Sequence, residues 1–127
     1  MIATTTTAMT ANELAARYDA LDLVAIINEA KDAARKAAEV YEHDVLQGRF
    51  DCCGFAWMSI NGIKGNTKIG RRLKAAGIGQ SWDKRFQIWN PSGYPTQNLS
   101  TLEAGARAAA EVFKRYGFDA SAGSRMD

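Results

Sequence analysis

The sequence predicts an α/β or α+β fold in the order α-β-α-β-α-β: a small three-stranded sheet, parallel or mixed, covered by helices and preceded by a long N-terminal helix. Three observations carry this reading. Residues 10–47 hold apolar side chains at helical spacing, residues 85–90 alternate apolar and polar, and capping residues and glycines punctuate what lies between. The 127 residues, 46% hydrophobic and 24% charged, suit one soluble globular domain and exclude a disordered, collagen-like or disulfide-scaffold chain.

Residues 1–9 read as a Thr-rich flexible arm, and 10–127 as a single domain with a helical part (10–47) and a sheet-containing core (48–127). Thr10-Ala-Asn-Glu13 is a capping box, in which hydroxyl and carboxylate each satisfy a backbone N–H at the start of a helix. After a break near Asp19 to Asp22, residues 23–47 form a long helix with Leu23, Ile26, Ile27, Ala30, Ala33, Ala34, Ala37, Tyr41 and Leu46 on one side, closed by Gly48. At 1.5 Å per residue it spans about 38 Å and must cross the domain. Its alanine-rich stripe permits close helix approach, and packing within the chain is preferred over a self-association seam.

Phe55 to Ile60 is the first strand, and a turn over 61–65 leads to a short helix opening at Asn66 or Thr67 and closed by Gly77. Arg85 to Asn90 is a half-exposed strand with Phe86 and Ile88 on one face and Arg85, Gln87 and Trp89 on the other. A turn-rich connection leads to Ser100-Thr-Leu-Glu103, a second capping box, and a helix to Tyr116 ended by Gly117. Phe118 to Arg125 is the final, small-residue strand.

The net charge of +2 hides an uneven distribution. Residues 1–50 carry five positive and eight negative side chains, whereas residues 61–90 carry seven positive ones against one acid. Such a local patch attracts an anionic partner although the whole chain is nearly neutral. With parallel strands, the loops after the first two strands and the chain end would share one sheet edge, where open α/β folds bind ligands. That edge would gather Lys64, Asn66, Thr67 and Lys68 at one helix N-terminus, Asn90 and Ser92 at the next, and Arg125 from the last strand, a setting suited to phosphate. Arg71 and Arg72 on the short helix, with Arg85, add charge, and Trp89 offers a stacking face for a base. Trp82 and Tyr94 read instead as lids on the core edge.

Catalytic chemistry is poorly represented. Cys52 and Cys53 are adjacent, a spacing unsuited to a relaxed disulfide, and read as free thiols of a reducing compartment. With the single His43 they lack the spacing of a zinc site, and no nucleophile elbow accompanies them. No cofactor is expected. Neither a signal peptide nor a membrane span is evident, which predicts a cytosolic protein without membrane contact.

Cys53-Gly-Phe-Ala-Trp57, Trp89-Asn-Pro-Ser-Gly93, Thr96-Gln-Asn-Leu-Ser100, Glu103-Ala-Gly-Ala106, Ala108-Ala-Ala-Glu-Val112 and Gly123-Ser-Arg-Met-Asp127 cover the last 75 or so residues. In order and spacing they resemble a set of short uncharacterised proteins of tailed bacteriophages. The resemblance implies a source, hence the cytoplasm of an infected cell or the virion, and carries no activity or site residue with it. The expectation is a small non-enzymatic binding protein that engages nucleic acid or a nucleotide through its basic, Gly-rich edge. The alternatives are an assembly or virion protein, whose long helix and arm contact further copies or other phage or host proteins, and a cysteine-dependent enzyme.

Overall fold

Thr10 begins the described part of the chain, residues 10–127 of a computed structural model; the expected arm, 1–9, lies outside the described residues. The first capping box forms as the sequence predicts. Thr10 Oγ1 accepts from the Glu13 amide (3.1 Å), Glu13 Oε1 accepts from the Thr10 amide (2.9 Å), and α1 runs Ala11–Asp19. Asp22 then caps α2, Leu23–Val40, through the Ala25 amide. The expected helix to residue 47 keeps its path but widens into a π-helical segment, Tyr41–Leu46, closed by Gln47 and Gly48 at positive φ. The Gln47 amide reaches back five residues to the Glu42 carbonyl at 2.8 Å.

α2 lies along α4, Leu99–Arg115, and their closeness comes from small residues. Ala30, Ala34 and Ala38 are fully buried. Opposite them, a Cβ on Gly105 would stand 3.2 Å from the Ala34 carbonyl oxygen and 2.9 Å from Ser92 Cβ, closer than packing allows. The alanine stripe is therefore used inside the chain.

The sheet has four strands where three were expected: β1 Gly54–Ile60, β2 Gly79–Gln80, β3 Phe86–Trp89 and β4 Ala120–Met126, in the order β2-β3-β1-β4. Every neighbouring pair is antiparallel, which overturns the parallel arrangement. The cause is β2, a strand of two residues that follows α3 (Lys68–Ala75) and is too short to leave an alternation in the sequence. Its tight turn into β3 reverses the chain, so β3 returns against β1 instead of alongside it. From β1 onward the order β-α-β-β-α-β is that of split β-α-β units, the connectivity of ferredoxin-like domains.

Ala56, Met58 and Ile60 of β1 and Phe86 of β3 are buried in clusters with Leu73 of α3 and Leu102, Ala106, Ala109 and Phe113 of α4. Phe55, Trp57, Gln87 and Trp89 alternate to the other face, which no described element covers.

The second capping box does not form. α4 starts at Leu99, one residue before the expected Ser100 cap, because its first amides are satisfied from the segment ahead of β1. The Leu99 amide donates to the Cys52 carbonyl at 2.8 Å, and Asp51 accepts from the Ser100 amide and hydroxyl. Asn98 in turn donates to the Glu42 carboxylate (2.9 Å), tying the π-helical segment to this junction, while Glu103 accepts from Ser124 of β4.

Arg72 anchors α3 to the helical layer, donating to the Tyr18 and Leu21 carbonyls at 2.7 and 2.6 Å. Arg72→Ala should cost about 1–3 kcal/mol, since charge-assisted bonds to half-buried carbonyls are lost. Arg71, bonded only to the exposed Asn66 carbonyl, should tolerate the same change within about 0.5 kcal/mol. Urea unfolding of the two variants beside the wild type measures both.

Candidate functional site

Antiparallel pairing divides the expected site. Ile60 pairs with Phe86 and Trp57 with Trp89, so the loops after β1 and β3 leave the sheet at opposite ends. Lys64, Asn66, Thr67, Lys68, Arg71 and Arg72 follow the Ile60 end, near Arg85, which precedes Phe86. Trp89, Asn90, Ser92 and Arg125 belong to the other end, where Arg125 pairs with Phe55. The single Gly-rich edge joining all of them does not exist.

Several of those residues hold the backbone. Thr67 caps α3 through the Gly70 amide at 3.1 Å, Arg71 and Arg72 bind carbonyls, and Lys68 pairs with Asp19 at 3.2 Å. Ser92 is buried, donates to Asn90 Oδ1 (2.9 Å) and accepts from the Tyr94 amide (3.1 Å), shaping a turn in which Asn90 has φ of 42°. Lys64 and Arg85 line one depression, and Arg85, Trp89 and Arg125 line a second.

Strand pairing also assembles what the sequence reading left apart. Phe55 and Trp57 of β1 join Trp89 of β3 on the open face: Trp57 and Trp89 have centroids 5.0 Å apart, and Phe55 meets Trp89 edge-on at 6.2 Å. Phe55 is 39% and Trp89 52% exposed. The Arg125 guanidinium lies 5.4 Å from the Phe55 centroid, a cation–π contact that holds it at the rim. Gly123 of β4 stands opposite Trp57, and a Cβ there would fall 2.6 Å from indole Cε2. Only glycine leaves the indole room to lie over that strand. The shallow depression so formed, about 570 Å³, is lined by Trp57, Ser59, Gln87 and Trp89 and flanked by Arg85 and Arg125. Gln87 donates to Ser59 across its floor at 3.3 Å.

Trp82, expected as a lid on the core, is 94% exposed in the β2–β3 turn and borders the same depression. Too few apolar neighbours reach that turn to cover it. Tyr94 is half-buried and lies beneath the Arg35 guanidinium at 5.3 Å.

The β2–β3 turn is set by Asp83, whose carboxylate accepts from the Ser81 hydroxyl and pairs with Arg85 at 2.8 Å. These bonds, the Ser81 one foremost and then Arg85, lower its pKa from 3.8 to about 2. The cysteines offer no comparable activation. Both are free, Cys53 donates to Gln97 Oε1 at 3.4 Å, and desolvation, then the Asp51 charge, pushes the Cys52 thiol upward, away from thiolate. His43 is exposed and hydrogen-bonds to its neighbour Asp44. Among the described residues, no group of three or more His, Cys, Asp or Glu side chains is placed to hold a metal ion, and no helix is long and apolar enough to cross a membrane.

Comparison with protein-family models, with curated proteins and with solved structures gave no significant match.

Two measurements check this geometry. The Asp83 carboxyl should titrate near pH 2 in carboxyl-detected NMR. Its lowered value means that the turn holds its full stabilisation well above pH 3.8 and loses it progressively as pH falls from about 3.8 through about 2. Gly123→Ala should displace the Trp57 indole and change near-ultraviolet circular dichroism while leaving the far-ultraviolet spectrum intact.

Proposed function

We propose that this protein binds single-stranded nucleic acid on the open face of its sheet. The observation that carries the reading is the convergence of Phe55, Trp57 and Trp89 on the two central strands, uncovered and flanked by Arg85 and Arg125. Unpaired bases present apolar π-faces, and each base stacked on an aromatic side chain is worth about 1–3 kcal/mol whatever its sequence. Four-stranded sheets bearing aromatics on one face are a recurrent platform for such bases. A duplex hides its bases from a flat surface of this kind, which favours single strands.

Charge favours a nucleic acid over an apolar partner. The guanidiniums at the rim sit where a sugar-phosphate backbone would pass beside stacked bases, and Ser59 and Gln87 supply donors and acceptors between the rings. The expected anionic partner thus moves from the loop edge to the sheet face. The resemblance to short phage proteins would set such binding in an infected cell or in the virion.

Intrinsic tryptophan fluorescence titrated with dT12 and rU12 tests the reading. Quenching that saturates is expected, and Trp89→Ala should weaken binding by about 5- to 150-fold, the equivalent of one lost stack. Phe55→Ala should act in the same direction, and both residues are exposed enough for the fold to tolerate the change. Binding unchanged in the double variant would overturn the proposal.

A further inference from the structure

The aromatic face does not end at the β2–β3 turn. Asp83 and Arg85 line both the depression over the sheet and a second cleft of about 510 Å³ beyond it, set between the start of β3, the loop after β1 and α3. That cleft draws Lys64 from the loop, Lys74 from α3, and Lys84 and Arg85 from the turn, against the single acid Asp83. Asp83 is already spent on Arg85 and Ser81. Among the described residues, none of the three lysines has an ion pair or a side-chain hydrogen bond. The lining is therefore strongly basic, and an anion entering the cleft meets lysines that no carboxylate already neutralises.

The backbone is arranged for this grouping. A Cβ at Gly65 would stand 2.8 Å from Lys74 Nζ, so the missing side chain is what lets the ammonium lie over the loop. Lys84 has φ of 70°, a left-handed conformation that a β-carbon disfavours. The Lys84 amide donates to the Ser81 carbonyl (2.9 Å), and the Lys84 carbonyl accepts from Gln80 Nε2 (2.8 Å), which holds it there. Strained non-glycine residues of this kind concentrate where a side chain must be presented.

We infer that the Lys64–Lys74–Lys84 cleft holds backbone phosphates of the strand whose bases stack on Phe55, Trp57 and Trp89. The inference rests on the nucleic-acid reading and deepens it: the binding track crosses the sheet from Arg125 over the aromatic rings and continues past Arg85 into the cleft beside α3. A strand just long enough to cover the rings engages the face alone, and a longer one engages the cleft as well. The ligand chemistry is the phosphodiester; a free or terminal phosphate would share it.

The test is a fluorescence titration of the full chain with dT4, with dT12, and with dT4 carrying a 5′-phosphate, each at several salt concentrations. For the Lys64→Glu, Lys74→Glu, Lys84→Glu triple variant, dT12 affinity should fall by at least about tenfold and dT4 affinity by less than about twofold. The slope of log affinity against log salt for dT12 should lose about 2, at roughly 0.7 per phosphate contact. The triple Lys→Gln variant, which adds no repulsion, should lose the same slope. Circular dichroism checks that both variants fold. A dT12 affinity and slope unchanged by the lysines, in a protein that still binds dT12 through Trp89, would overturn the cleft and leave the aromatic face standing. So would a lysine-dependent gain from the 5′-phosphate on dT4 that equals the gain from dT12, which would mark a terminal-phosphate pocket. No binding of any oligonucleotide by the wild type would overturn both.

Discussion

α2 and α4 come together over residues without bulk, with Ala34 meeting Gly105 and Ala30 and Ala38 buried to either side. α4 turns its other side to β1 and β4, so it is packed between the sheet and α2. Helix, helix and sheet thereby stack as successive layers on one side, and the aliphatic burial that stabilises the chain is concentrated there. Among the described residues, no helix lies on the second face of the sheet. A larger residue at Gly105 would push Ser92 and α2 outward together, disturbing the layer and the turn that delivers α4 in a single step.

An uncovered sheet face in a small domain is ordinarily polar, because water solvates alternate side chains there. Here its two central strands carry three aromatic rings instead, an exposed apolar grouping of the kind that interaction surfaces use. The rings are held by specific neighbours: Trp57 by the gap at Gly123, Phe55 by Arg125, and Trp89 by both other rings. Little side-chain freedom remains to be lost when a flat ligand arrives, which favours binding through preorganisation. The basic segment identified by charge sits at one end of this surface, so in the proposed binding charge and stacking would act along one path instead of at one point.

Much of the fold is legible in the sequence because its signals are local. The Thr10 box, the Asp19 to Asp22 break, the α3 cap at Thr67 and the alternation of β3 all depend on neighbours a few residues away. The α4 cap at Ser100 misleads for the converse reason: its local hydrogen bonds are outcompeted by Asp51 and Cys52, about fifty positions earlier. The site suffers most. Which strand runs beside which was decided by Gly79–Gln80, two residues without periodicity, and with it whether Lys64 and Arg125 share an end. Phe55 and Trp57 escaped notice since every residue of β1 but Ser59 and Gly54 is apolar, hiding polar–apolar alternation. Size still alternates there, with large aromatics at 55 and 57 and compact or flexible side chains at 56 and 58. Trp89 was readable because Gln87 and Arg85 mark its face as the wet one.

The central position of β1 has a consequence for the order in which the molecule assembles. Its partner β3 returns within about thirty residues, whereas β4 pairs through Gly54↔Met126 and Ile60↔Ala120, contacts that close loops of 60 to 72 residues. Loop closure of that length is slow relative to helix formation, and a chain emerging from the ribosome gains β4 last. Until then β1 presents a bare edge of unpaired amides and carbonyls next to its aromatic side chains, the combination most prone to pair with another chain. The same strand that organises the finished surface is thus the chain's point of greatest exposure during synthesis.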